Sequence, residues 1–295
     1  RAAKARGAAP RDLPDPPPTR ADQGKVSARP AAGQLFQNGV GPKDVQQGAI
    51  GDCYLCAGLS SVAHANPQAI RDAITTRPDG TYDVRIFDAT GKPHTVNVDG
   101  DLYRREDGGP RYARGTDEKE LWPAIYEKAY AKARHSYEVI GRGGVAGWAM
   151  QSITGKPSDR VANASVSADA LWNRVHGATE AGRPVAADTH GQEKKYQTNG
   201  LVASHAYSVL GTQIEDGQRY VTLRNPWAST EYTGGAGGYQ TDVDFDGDGK
   251  LDGNDGVFRM KLEDFHRLFE HTDVNDPPPR PGLFDRVWGL FRSAS

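Results

Sequence analysis

A chain of 295 residues is long enough for one large domain or two ordinary ones. Its 36 Lys and Arg nearly balance 38 Asp and Glu, so neither a broad nucleic-acid footprint nor an anionic membrane surface is indicated. No apolar run approaches the roughly 18 residues a membrane span needs, and two cysteines are too few for a disulfide scaffold.

The chain starts at Arg1 rather than Met, which reads as a fragment or processed form and leaves its compartment open. Residues 1–32 are rich in Ala, Arg and Pro ("LPDPPPTRAD", "ARPAAG") and lack apolar periodicity. Such a composition buries too little surface to offset chain entropy, so it reads as disordered or extended linker. Next comes "QGAIGDCYLC", residues 47–56, which holds both cysteines. "CYLCAGLSSVAHA" has apolar residues at helical spacing, with Pro67 closing the stretch. "YDVRIFDATGKPHTVNVDG" alternates like a hairpin with "TGK" at its turn, and "ELWPAIYEKAYAKAR" is helical by pattern and composition.

The second half is strand-rich. "HAYSVLGTQIEDGQRYVTLRNPW" is two alternating runs joined by "EDGQ", and "FRMKLEDFHRLF" runs from a strand into a short helix. A helical first half and a strand-rich second half predict two lobes with a boundary near Gly155: a helical lobe over 33–155 and a β-rich lobe over 156–275. Residues 276–295 hold a Pro-rich spacer, "DPPPRPG", and a short apolar stripe, "LFDRVWGLF". The stripe fits a small helix on the domain surface better than a membrane-binding helix, which calls for more basic residues. No internal repeat of useful length is present.

Cys53 follows Gly51-Asp52 at the predicted start of a helix. Unpaired N–H groups and partial positive charge there favour thiolate, the nucleophilic form. Cys56, among apolar neighbours, suits a small buried side chain. Taken alone, the pair leaves three readings open: one nucleophile, two structural thiols, or a redox or metal pair.

Two distant stretches bear on the choice. His205 lies in "GLVASHAYSVLG" and Asn225 in "VTLRNPWAST". A histidine in a strand is usually a packed core residue, yet pairing through "EDGQ" brings the ends that bear His205 and Asn225 together. Cys, His and Asn in that chain order can then form a nucleophile, a base and an orienting group. Trp227 would cover the His–Asn bond from water. Gln47, on other grounds an ordinary loop residue, could donate to an oxyanion together with the Cys53 N–H.

These stretches resemble the calpain family of papain-like cysteine proteases. "QGAIGDCYLCAGLSS" resembles the family's nucleophile motif, "GLVASHAYSVLG" its histidine motif and "LRNPWASTEYTGG" its asparagine motif. "ELWPAIYEKAYAKARHSYEVIGRGG" and "NDGVFRMKLEDF" resemble further core segments, so the likeness spans about residues 34–274. It implies an α+β, papain-like two-lobe fold with the cleft between the lobes. The implied roles are Cys53 nucleophile, His205 base, Asn225 orienter, Gln47 oxyanion donor and Trp227 shield. Tyr54 departs from the family's usual Trp after the nucleophile.

Calcium is the expected cofactor. "DFDGDGKLDGND", Asp244 to Asp255, fits a 12-residue EF-hand loop: Asp244, Asp246 and Asp248 at positions 1, 3 and 5, the Lys250 carbonyl at 7, Asp252 at 9 and Asp255 at 12. The competing reading is a solvated acidic loop. By resemblance, Glu231 and Asp255 match second-lobe ligands, with Val257 in place of an acidic one. Asp44, Glu120 and the Gly39 carbonyl match a first-lobe site, although both carboxylates otherwise read as ordinary surface charge. Because Cys53 lies in one lobe and His205 and Asn225 in the other, calcium binding is expected to align the lobes.

The sequence thus reads as a calcium-dependent endopeptidase core: monomeric, part of a longer chain, acting on protein or peptide substrates, with no nucleic acid and no membrane span. The alternatives are an acyl transferase using the same three residues, and a calcium-binding module with a silent site.

Overall fold

The computed structural model describes residues 11–37, 39–234, 243–244 and 253–276. In the first half, β1 (Val26–Pro30) precedes α1 (Cys53–Ala65), α2 (Pro67–Ala73) and three short strands, β2 (Ile74–Thr76), β3 (Tyr82–Phe87) and β4 (Pro93–Val98). Then come β5 (Asp101–Arg105), α3 (Trp122–Ala133), α4 (Tyr137–Ile140) and α5 (Ala146–Thr154). Pro67 does not simply end α1. It is the first residue of α2, where its missing N–H would have had no helical partner anyway, and the Asn66 side chain caps the Ala69 N–H. Helices α1, α3 and α5 meet in one apolar core around Leu55, Leu59, Ile125 and Met150. The β2–β3–β4 sheet and the β1–β5 pair sit at its edge.

The second half holds β6 (Ser158–Ala162), α6 (Ala168–Glu180), β7 (Val185–Thr189), β8 (Ala206–Glu215), β9 (Gln218–Arg224), β10 (Val257–Lys261), α7 (Leu262–Leu268) and β11 (Phe269–Asn275). The strands form one antiparallel sheet in the order β10-β9-β8-β7-β11-β6. Asp216 and Gly217 both take positive φ (49° and 78°), the backbone a tight twisted hairpin needs, and this fixes how β8 pairs with β9. Helices α6 and α7 cover one face of the sheet over a core of Leu171, Phe258, Phe265 and Phe269.

The other face of the sheet receives α1. Ser61 Oγ donates to the Val185 carbonyl at 2.7 Å, and Ser208 Oγ donates to the Ala57 carbonyl at 2.9 Å, both buried. Strand β8 is therefore buried on both sides over its first five residues, not on the one face that an alternating run predicts. The helix that begins at Cys53 is pinned against the strand that begins one residue after His205.

The N-terminal segment departs from its compositional reading. Residues 11–30 pack on the first lobe rather than forming a linker. Leu13 N–H donates to Asp99, Tyr137 N–H to the Pro17 carbonyl, and Thr19 N–H to the Tyr112 hydroxyl. Asp22 meets Arg111 at 2.8 Å, and Tyr112 stacks on Tyr137 at 3.8 Å. Pro16 is buried and Leu13 half-buried, but most of the segment's links to the lobe are polar or backbone contacts. Prolines that leave the free chain less entropy to lose assist them. The predicted C-terminal spacer and helix lie outside the described residues from 277 onward.

Candidate active site

A cleft of about 860 Å³ opens between the lobes. Gln47, Cys53 and Gly144 line it from the first lobe, and Asp188, His205 and Trp227 from the second.

Cys53 is the first residue of α1, and Cys56, one turn on, is fully buried. Both are free thiols. The Cys53 and Tyr54 N–H groups have no acceptor within the helix, whereas those of Leu55 and Cys56 bond back to the Asp52 carbonyl. The surroundings of Cys53 oppose the expected thiolate. Burial pushes the Cys53 thiol up to about 11; the Asp52 carboxylate adds to the rise, and the Ala206 N–H opposes it. Asp52 is wholly buried and lies against the buried Glu127. Burial first, and mutual repulsion in the case of Glu127, raise both carboxyl groups above their ordinary range. The helix-terminus effect is thus outweighed by burial and a neighbouring acid.

His205 Nε2 and Asn225 Oδ1 are 2.8 Å apart in a buried setting. The amide orientation of Asn225 is fixed by its other partners: Oδ1 accepts the Trp227 N–H at 3.1 Å, and Nδ2 donates to the Thr230 carbonyl at 3.0 Å. An oxygen therefore faces His205, so Nε2 carries the proton and Nδ1 is left as a base. Burial holds the His205 imidazole down at about 4, despite the Asn225 bond, so the ring is neutral at neutral pH. Among the described residues no hydrogen bond joins Cys53 to His205; the two share the cleft as neutral groups.

The Trp227 ring lies 4.7 Å from the His205 ring and covers the His–Asn pair. Gln47 is nine-tenths buried at the cleft wall. Its Nε2 donates to the Ile50 carbonyl at 2.7 Å, and its backbone N–H donates to the Pro226 carbonyl across the lobes at 2.9 Å. Tyr54 is buried beneath the Gly143–Gly144 loop. A Cβ on Gly144 would stand 2.7 Å from the Tyr54 ring, so the loop can lie this close only as glycine.

The expected calcium ligands fall into two groups. Asp44 Oδ2 accepts the Gly41 N–H at 2.7 Å and the Trp122 Nε1–H at 3.1 Å, and Glu120 accepts the Gln37 N–H. Both carboxylates thus hold the loop that contains Gly39. In the second lobe, Glu231 accepts the Gly256 N–H at 3.0 Å, and Asp255 accepts the Val257 N–H at 2.8 Å. Asp255 also pairs with Lys43 of the first lobe at 3.0 Å. Asp244 is described, whereas Asp246, Asp248, Lys250 and Asp252 lie outside the described residues. The sequence reading assigns no role to Lys43, Asp52, Asp188 or Glu127, although Asp52 and Glu127 lie within the quoted stretches "QGAIGDCYLC" and "ELWPAIYEKAYAKAR".

The architecture, a helical layer and an antiparallel sheet with the cleft at their seam, is that of a papain-like α+β cysteine protease core. More narrowly, the chain belongs to the calpain family of cysteine proteases: the family model matches residues 23–276. It is 32% identical over 283 residues to a rice calpain-type cysteine protease, ADL1, covering 90% of this chain and 12% of that protein. It is 29% identical to calpain clp-1 of Caenorhabditis elegans (93% of this chain, 37% of that one) and 27% identical to the bovine calpain-1 catalytic subunit (83% and 36%). The chain therefore spans about a third or less of these relatives. Among solved structures, a digestive procathepsin L 3 of Tenebrio molitor gives a TM-score of 0.32 at 14% identity, over 84% of this chain and 76% of that one. A likeness that slight adds nothing to the family match.

Proposed function

We propose that the chain is a cysteine endopeptidase that cleaves peptide bonds through a thioester acyl-enzyme. The observation that carries this reading is the buried His205–Asn225 bond, whose polarity leaves Nδ1 unprotonated in the cleft lined by Cys53. His205 Nδ1 takes the Cys53 proton as sulfur attacks the substrate carbonyl carbon. The oxyanion receives the Cys53 N–H and the Gln47 amide. As the C–N bond breaks, the imidazolium returns its proton to the leaving amine. His205 then takes a proton from water, whose oxygen attacks the thioester, and the thiol is regenerated as the acid leaves. Trp227 keeps competing water from the His–Asn bond.

Ca²⁺ belongs to the same reading. In the first lobe, Asp44, Glu120 and the Gly39 carbonyl supply hard oxygen donors of the kind Ca²⁺ takes, and they fit it chemically. In the second lobe, Glu231, Asp255 and the Asp244–Asp255 loop supply carboxylates, with Lys43 engaging Asp255. Bound there, calcium would supply positive charge that gathers these carboxylates.

Casein incubated with calcium tests the reading. Cleavage by the wild type and its loss in Cys53→Ala are expected; no Cys53-dependent cleavage would indicate a silent binding module. Full activity in excess chelator would remove the calcium part alone. Product accumulating as an amide when an amine donor is added would favour acyl transfer over hydrolysis.

A further inference from the structure

The second-lobe side of the cleft is acidic. Asp188 on β7 pairs in register with Ala206, the residue after His205, and with His271 on β11. The β7–β11 ladder slips between Phe269 and His271, and Glu270 sits in that irregularity. A bulge of this kind re-aims a side chain, and Glu270 lines the same cleft as Cys53, His205 and Asp188. Ligand-type atoms of Asp188, Glu270 and His271 lie within 4.8 Å of one another.

The charge of this wall is only partly compensated. Arg160 engages both oxygens of Asp188, at 2.9 and 3.0 Å, and the buried Asp273 at 2.6 Å, so the uncompensated charge of the wall rests on Glu270. The ionic neighbour of Glu270 is His190 at 3.9 Å, a ring that burial keeps below its ordinary range and so neutral at neutral pH. Lys195 feels the Glu270 charge but makes no ion pair with it among the described residues. The Glu270 side chain is 44% exposed. A metal ion is a poor fit, because the Arg160 guanidinium already lies against Asp188. A polypeptide in this cleft passes the wall, and the complementary group it can bring is a cationic side chain.

We propose that Glu270, beside the Arg160-held Asp188, forms a specificity subsite that selects a Lys or Arg side chain at one fixed position relative to the cleaved bond. The subsite rests on the peptidase reading above. Arg142, on the opposite rim and paired with Glu138 at 3.5 Å, disfavours a basic group on the first-lobe side.

The test is cleavage-site profiling. The full chain, with calcium, digests a proteome-derived peptide library, and the cut sites are read by mass spectrometry. The wild type is expected to enrich Lys and Arg at one position by about fivefold, the size of one partly solvated ion pair. Glu270→Gln should remove most of that enrichment, and Glu270→Lys should replace it with enrichment of Asp and Glu. If Asp188→Asn fails to fold for want of its Arg160 link, the Glu270 variants decide alone. Cys53-dependent cleavage with no basic preference, or a preference unchanged in both Glu270 variants, overturns the subsite and leaves the peptidase standing. Absence of Cys53-dependent cleavage overturns both.

Discussion

Replacing Asn225 with alanine tests the polarity argument on which the chemistry depends. The wholly buried carboxamide makes three hydrogen bonds: to His205, the Trp227 N–H and the Thr230 carbonyl. Trp227 and Thr230 are partly exposed and can turn to water, but His205 is 4% exposed and keeps an unpaired N–H. One unsatisfied buried donor costs about 1–3 kcal/mol. In a chain of this size that lowers Tm by roughly 2–5 °C. The loss of activity should be larger than the loss of stability. Without Asn225 the ring is free to rotate and to hold its proton on Nδ1, where it cannot act as a base, and kcat/KM should fall by about 10²–10³. Asn225→Asp provides the control. It keeps an oxygen against Nε2 but adds a charge, so His205 rises from about 4. The acid limb of the kcat/KM profile then moves to higher pH. The assay is hydrolysis of a fluorogenic peptide across pH, with thermal unfolding alongside. Activity of Asn225→Ala within threefold of wild type, or an unmoved acid limb in Asn225→Asp, would refute the assigned tautomer.

Four further outcomes follow from the same geometry. Iodoacetamide should label Cys53 slowly at neutral pH and faster as pH rises toward about 11, with Cys56 unlabelled until unfolding; peptide mapping that finds Cys56 first would contradict the burial assignment. His205 is held below its unfolded value, so the unfolded chain binds that proton first, and the contribution of His205 to stability falls as pH drops from about 6.5 to about 4. The loss is about 3 kcal/mol, seen as a urea-midpoint shift that should be absent in His205→Gln. Gly144→Ala should destabilise by about 1–3 kcal/mol through collision with the Tyr54 ring, and Tyr54→Leu should restore part of it, a coupling that thermal melts of the double mutant can read. Lys43→Ala should tighten calcium binding measured by isothermal calorimetry, because Asp255 loses its competing cation; unchanged or weaker binding would detach Asp255 from the calcium loop.

What the sequence disclosed follows from the range of the interactions. The β8–β9 hairpin was legible because its turn chemistry is local, and that one feature carries His205 and Asn225 to within 2.8 Å. The start of α1 was legible from apolar spacing. Ordering of residues 11–30 was not, because it depends on partners such as Tyr112, 93 residues from Thr19. The Asp188–His271 contact spans 83 residues across two strands with nothing local to join them, so the acidic wall was hidden. The thiolate expectation at Cys53 meets an opposing influence of a different kind. Burial of the thiol itself, with the smaller push of the wholly buried Asp52, is a tertiary fact that opposes the helix-terminus effect.

The seam between the lobes also limits how calcium could act. The lobes are joined at the base by buried hydrogen bonds, Ser61 to Val185 and Ser208 to Ala57, within an apolar core that includes Ala186 and Ala206. Opening that base would strip apolar contacts and leave buried polar groups unpaired, so a wholesale hinge is the expensive motion. The contacts at the rim are fewer: Lys43 to Asp255, the 3.4 Å bond from Gln46 Nε2 to the Trp227 carbonyl, and the 2.9 Å bond from the Gln47 N–H to the Pro226 carbonyl. These are the links that join the two proposed calcium loops to Gln47 on one side and Trp227 on the other. For the calcium response proposed above, the rim is therefore the less costly place to act. Such a response would shift Gln47 and Trp227 about a fixed Cys53–Ala206 contact rather than bring distant lobes together. Hydrogen exchange with and without calcium separates the two: protection changes confined to residues 39–47 and 225–231 fit the rim, and changes along α1 and β8 would restore the hinge.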